Sequence, residues 1–91
     1  SFITAVGEVN DAMSRLKYAD ERMILGKDKA ASLEKATSDA GLLYKSGMAN
    51  YLEVIAAQNS SLQNELDLVT IKLEKLNAAI NLYRALGGGV E

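Results

Sequence analysis

The side chains here that carry reactive chemistry are twelve carboxylates, ten lysines and arginines and four tyrosines, with no histidine and no cysteine. Without His, the commonest general base and the commonest metal ligand are both missing. Without Cys there is no thiolate nucleophile, no disulfide framework and no Cys-based metal site, and redox chemistry says nothing about compartment. A phosphate cradle needs a Lys and a Ser or Thr behind its glycines, and Gly87-Gly88-Gly89 has neither. The carboxylates fall on helix faces turned to solvent, where they read as solubilising groups and not as an acid–base pair. Tyr18, Tyr44, Tyr51 and Tyr83 are too few and too separated for a base-stacking platform. A net charge of −2 argues against a nucleic-acid partner, which wants a basic face. The expectation is no enzyme, no cofactor and no bound metal.

What remains is architecture. Ninety-one residues make at most one domain, or a piece of one. The apolar mass is Leu, Ile, Val, Met and Ala, the palette of packed helices, and the absence of proline lets helices run long. No run of about 18 uncharged apolar residues occurs, so no bilayer-spanning helix is expected. No signal peptide precedes Phe2, and the chain is expected to be an excised piece of a longer one. Full turn chemistry appears at Lys45-Ser46-Gly47-Met48-Ala49-Asn50 and at the glycine triplet. The chain therefore reads as a single all-α unit over residues 1–91, a long antiparallel two-helix coiled-coil hairpin. One helix is expected from about 3 to 45, a turn at 46–49, a second helix from about 50 to 86, and a glycine-rich tail at 87–91.

The second helix carries the clearest pattern. Leu52, Ile55, Asn59, Leu62, Leu66, Val69, Leu73, Leu76, Ile80 and Tyr83 follow a strict 3-4 spacing, which predicts the coiled-coil seam, with Asn59 as a polar register setter. Val54, Leu68, Ile71 and Leu82 lie off that line. They are either scattered exposed apolars or the contact for a second helix neighbour; four large aliphatics recurring on one side favour the neighbour. In the first helix Phe2, Val6, Val9, Met13 and Leu16 predict a seam that slips near Asp20 and resumes through Met23, Gly26, Ala30, Leu33, Thr37, Ala40 and Tyr44. Gly26 either permits close approach of another helix or has no packing role. Gly47 suits the left-handed position after a helix, and Asn50 with Glu53 three residues on suits a capping box. Lys45 and Arg84 complement the two helix dipoles, and Asp11 with Arg15 makes an i,i+4 pair.

Three stretches, in order, resemble one family. The stretch Leu43-Tyr44-Lys45-Ser46-Gly47-Met48-Ala49-Asn50-Tyr51-Leu52-Glu53-Val54-Ile55-Ala56-Ala57-Gln58 is similar to the TolC-like outer membrane efflux proteins, the exit ducts of tripartite pumps. The family pattern is a Tyr, a Gly three residues later, a small polar cap and a Leu-acid-Val-Leu run ending in Ala-Gln. Asn81-Leu82-Tyr83-Arg84-Ala85-Leu86-Gly87-Gly88-Gly89 resembles the family's closing Leu-Tyr-basic-Ala-Leu-Gly-Gly-Gly, and Glu8-Val9-Asn10-Asp11-Ala12-Met13 echoes the opening of the same hairpin.

The resemblance implies a role. The parent would be a homotrimer embedded in the outer membrane, with this segment outside the bilayer, in the periplasmic α-barrel, as the second of two hairpins per protomer. Its function would be passive export of small molecules, with a periplasmic adaptor protein and an inner-membrane transporter as partners. The tip Tyr44, Lys45, Ser46, Gly47, Met48, Ala49 and Asn50 would meet the adaptor. By the same resemblance Tyr44 matches a residue that helps hold a closed aperture, and Glu53 matches an acidic pore-lining position. Ala49 and Ala56 stand where some relatives have a basic and an acidic residue, which puts a salt-bridged closed state in doubt. Read from the residues alone, Tyr44 is more simply a seam residue at a helix end and Glu53 a capping residue, a role that does not exclude pore lining. The competing function is a structural hairpin that self-associates into a helical bundle as a tether or scaffold. The exported compound, the pump class and lipid anchoring are not legible.

Overall fold

A computed structural model describes residues 2–87. Two helices make up the fold, α1 (Phe2–Lys45) and α2 (Tyr51–Ala85), and no strand occurs among the described residues. They form an antiparallel hairpin: around the turn, partners of rising number on α1 have falling numbers on α2, from Gly26 with Asn64 through Thr37 with Ala57 to Tyr44 with Tyr51. The chain divides into two compact units, Ile24–Val69, which holds the turn, and the two stretches that flank it, up to Met23 and from Thr70 on.

In the turn-bearing unit α1 contributes Gly26, Ala30, Leu33, Thr37 and Ala40 to the seam, all half-buried at 3-4 spacing. Against them α2 sets Val54, Ala57, Ser61, Asn64 and Leu68, of which Val54 and Asn64 are buried. This overturns the expected pairing. Leu52, Asn59, Leu62, Leu66 and Val69, predicted as the seam, are exposed, and only Ile55 is half-buried. The line predicted to lie off the seam is the one that meets α1. Asn59 is not the buried polar member either; Asn64, at 4% exposure, is. A Cβ on Gly26 would stand 2.6 Å from Leu68 Cδ2. Gly26 is therefore where the end of the Leu68 side chain packs onto α1.

The other unit repeats the arrangement with different residues. There α1 buries Ala12 and Ala19 and half-buries Ala5, Val9, Leu16 and Met23. Across from them lie Ile71 and Ala78, buried, with Leu82 and Ala85 half-buried. Phe2, Val6 and Met13, expected in the seam, are exposed. Once Ala5, Ala12 and Ala19 take their places the 4-3 spacing runs on without the slip expected near Asp20. The large side chains suggested one register and the small ones adopt another. Leu73, Leu76, Ile80 and Tyr83 are exposed in this unit, so here too the greasier stripe of α2 faces outward.

Surface pairs follow local spacing. Arg15 and Asp11 meet at 3.0 Å as expected for i,i+4 neighbours, and Lys35 and Asp39 do the same at 3.1 Å. Arg22 pairs with Glu74 and lies 5.3 Å from the Tyr18 ring centroid. Gly87, at φ 77°, follows the end of α2 with its N–H donating to Arg84 O at 3.0 Å; the tail beyond it lies outside the described residues.

Candidate functional site

The turn is built by backbone chemistry. The last turn of α1 leaves carbonyls without intrahelical partners, and a left-handed residue just beyond can satisfy them. Gly47 takes that place at φ 79°, its N–H donating to Tyr44 O at 3.0 Å while Met48 N–H donates to Leu43 O at 2.9 Å. That pair of bonds is the Schellman pattern. Ser46 Oγ donates to Leu43 O at 2.9 Å. On the far side Asn50 Oδ1 accepts from Glu53 N–H at 3.0 Å, which caps α2.

These bonds hold the expected tip residues together on one short segment. Lys45, Ser46, Gly47, Met48 and Asn50 are exposed, Ala49 is half-buried, and the Glu53 side chain is exposed in the first turn of α2. Met48 is 78% exposed, a large apolar side chain presented at the end of a hairpin. Tyr44 does not stand alone. Its ring centroid is 5.5 Å from that of Tyr51, tilted by 55°, within the range of favourable aromatic pairs. The two rings clasp the helix ends on either side of the turn. Sequence reasoning treated the tyrosines as separated and missed Tyr51. The signal was available: an antiparallel turn brings the residue before its start to the residue after its end.

The second feature is the pair of stripes on α2. Within the turn-bearing unit the exposed line Leu52, Leu62, Leu66, Val69 and the inner line Val54, Ala57, Ser61, Asn64, Leu68 differ by a two-residue offset. In the other unit the exposed Leu73, Leu76, Ile80, Tyr83 and the inner Ile71, Ala78, Leu82, Ala85 differ likewise. At 3.6 residues per turn that offset sets the stripes roughly 160° apart. The helix therefore carries one line in contact with α1 and an exposed apolar stripe on nearly the opposite side. Among the described residues no cluster of three or more acidic side chains is placed to hold a metal ion, and no helix is long and apolar enough to cross a membrane.

Comparison with known proteins gives the same family as the motifs. The family model for outer membrane efflux proteins matches residues 1–88. The chain is 34% identical over 86 residues to outer membrane protein OprJ of Pseudomonas aeruginosa, covering 94% of this chain and 18% of the relative. It is 32% identical over 85 residues to cation efflux system protein CusC of Escherichia coli, covering 93% and 19%. It is 29% identical over 86 residues to the probable efflux pump outer membrane protein TtgC of Pseudomonas putida, covering 94% and 18%. No solved structure matches significantly. The chain thus spans less than a fifth of the length of these relatives. Its hairpin, its turn motif and its match over nearly every residue make it a member of the outer membrane efflux protein family.

Proposed function

We propose that this chain is a wall segment of a homotrimeric outer membrane efflux duct, lying in the periplasm and conducting small molecules passively. The observation that carries the reading is the placement of the two stripes of α2. Helices that pack into a closed bundle converge their apolar residues on one arc. A helix with stripes on nearly opposite sides suits a single layer, where each helix touches a neighbour to the left and to the right. A one-helix-thick layer leaves its other two faces for the lumen and the outside. The exposed stripe of α2 would be covered by the next helix of that layer. This favours the duct over a self-associating bundle.

In this reading the turn is the periplasmic tip. Lys45, Ser46, Gly47, Met48, Ala49 and Asn50 meet the adaptor protein, whose inner-membrane transporter drives export. Tyr44, braced by Tyr51, stands at the aperture, and Glu53 lines the pore as an acidic ring. Ala49 and Ala56 carry no charge, so closure at this level does not rest on ion pairs at those two positions. The test is Gly47→Val in the intact pump. A β-branched residue is strained at φ 79°, so the tip should distort and export should fall several-fold while the protein still reaches the membrane. Unimpaired export would count against the tip assignment.

A further inference from the structure

Both stripes of α2 have the same 3-4 spacing, so either is able to form a coiled-coil seam with α1. The leucine stripe has the larger apolar area, and burial alone favours turning it inward. The turn-bearing unit does the opposite. Gly26 opens a gap on α1 that Leu68 fills, since any Cβ there would stand 2.6 Å from Leu68 Cδ2. Beside it the buried Asn64 donates through Nδ2 to Gly26 O at 3.1 Å. Asn64 thus has a partner on the inside. Asn59 sits in the leucine stripe, exposed, and turning that stripe inward would bury its amide in an aliphatic seam. A buried amide without a partner is costly. Thr37 Oγ1 reaches Ala57 O at 3.3 Å but also Leu33 O at 2.8 Å, and one hydroxyl proton serves one acceptor at a time, so this contact is the weaker selector.

We propose that the Gly26–Asn64 contact, with Asn59 as its counterpart on the opposite stripe, selects which face of α2 meets α1 and so keeps the leucine stripe outward. A hairpin with the stripes exchanged would hide its greasiest surface within itself. The stripe available to a neighbouring helix is then set by two asparagines and a glycine, not by total hydrophobicity.

The sequence has no cysteine, so introduced pairs report the facing residues cleanly. Ala30 and Ser61 are half-buried seam positions bracketed by the Gly26–Asn64 and Thr37–Ala57 contacts. Ala30→Cys with Ser61→Cys reports the observed face, and Ala30→Cys with Leu62→Cys reports the exchanged one. Intrachain disulfides are read by mass at high dilution, where links between chains separate by size. With Gly26, Asn59 and Asn64 intact, the first pair should close and the second should not. Gly26→Val combined with Asn59→Leu should raise closure of the second pair relative to the first by roughly tenfold. Gly41→Val with Asn59→Leu is the control, because a Cβ on Gly41 meets nothing within 4 Å. If the Gly26→Val combination loses its helical signal, Gly26→Ala with Asn59→Leu carries the same expectation. A helical variant that still closes only the Ala30–Ser61 pair would overturn face selection, and so would a Gly41→Val control that exchanges faces equally. The readout is an intrachain bond and not transport, so this result leaves the duct reading to its own test.

Discussion

The two units tie α1 to α2 in different ways. In the turn-bearing unit the cross-helix polar contacts run from part-buried side chains to backbone carbonyls, Asn64 to Gly26 and Thr37 to Ala57. In the other unit they are charge pairs at the surface, Asp20 with Lys75 at 2.7 Å and Arg22 with Glu74, with side chains between 35% and 54% exposed. A buried amide bonded to a carbonyl carries orientation, because breaking it leaves polar groups out of water. A solvated ion pair between long flexible chains carries little orientation and is screened by salt. One unit is specified by packing around a glycine. The other is held by alanine and aliphatic burial and decorated with charge.

The largest expected effect disturbs the packing of Leu68 on Gly26. Gly26→Val should lower stability by about 1–3 kcal/mol through overpacking against Leu68, measured as a drop in the thermal midpoint of the helical signal. A substitution at Gly7, where a Cβ meets nothing within 4 Å, sharpens the contrast. Gly7→Ala removes a flexible residue from an exposed helix position and should stabilise by roughly 0.5–1 kcal/mol. Equal responses at the two glycines would erase the distinction between the units. Next in size is the cap: Asn50→Ala should cost about 1 kcal/mol by removing the side-chain acceptor of the Glu53 N–H, which keeps only the Asn50 backbone carbonyl at 3.1 Å, and denaturant titration reads it. Asn50→Asp should restore most of that loss. The smallest effect belongs to the charge pairs. Lys75→Ala should change stability by less than about 1 kcal/mol, and the difference from the parent chain should shrink in high salt. A larger, salt-insensitive loss would mean that this ion pair orients the helices after all.

Much of this hairpin was legible residue by residue. Gly47 and Asn50 announce the turn because left-handed backbone and N-cap geometry are local properties that one residue can satisfy or fail. The family was legible because three motifs recur in order, near the start of the first helix, around that turn and at the end of the second helix. Tyr51 was less legible, since its partner Tyr44 is a neighbour only after the chain reverses. The seam of α1 was read through Phe2, Val6 and Met13, the large side chains, whereas Ala5, Ala12 and Ala19 occupy it. Counting hydrophobicity gives alanine little weight, although in a close helix pair small size is what decides a seam.

By itself, then, the sequence determined two long helices, the turn between them, the absence of histidine and cysteine chemistry, and along α2 one strict 3-4 apolar line with Val54, Leu68, Ile71 and Leu82 off it. Tertiary structure alone decided which line turns toward α1. The reason is physical: the two lines have identical 3-4 spacing, so periodicity cannot rank them, and the ranking by apolar area points the wrong way. Space around Gly26 and a carbonyl for Asn64 exist only once the helices are side by side.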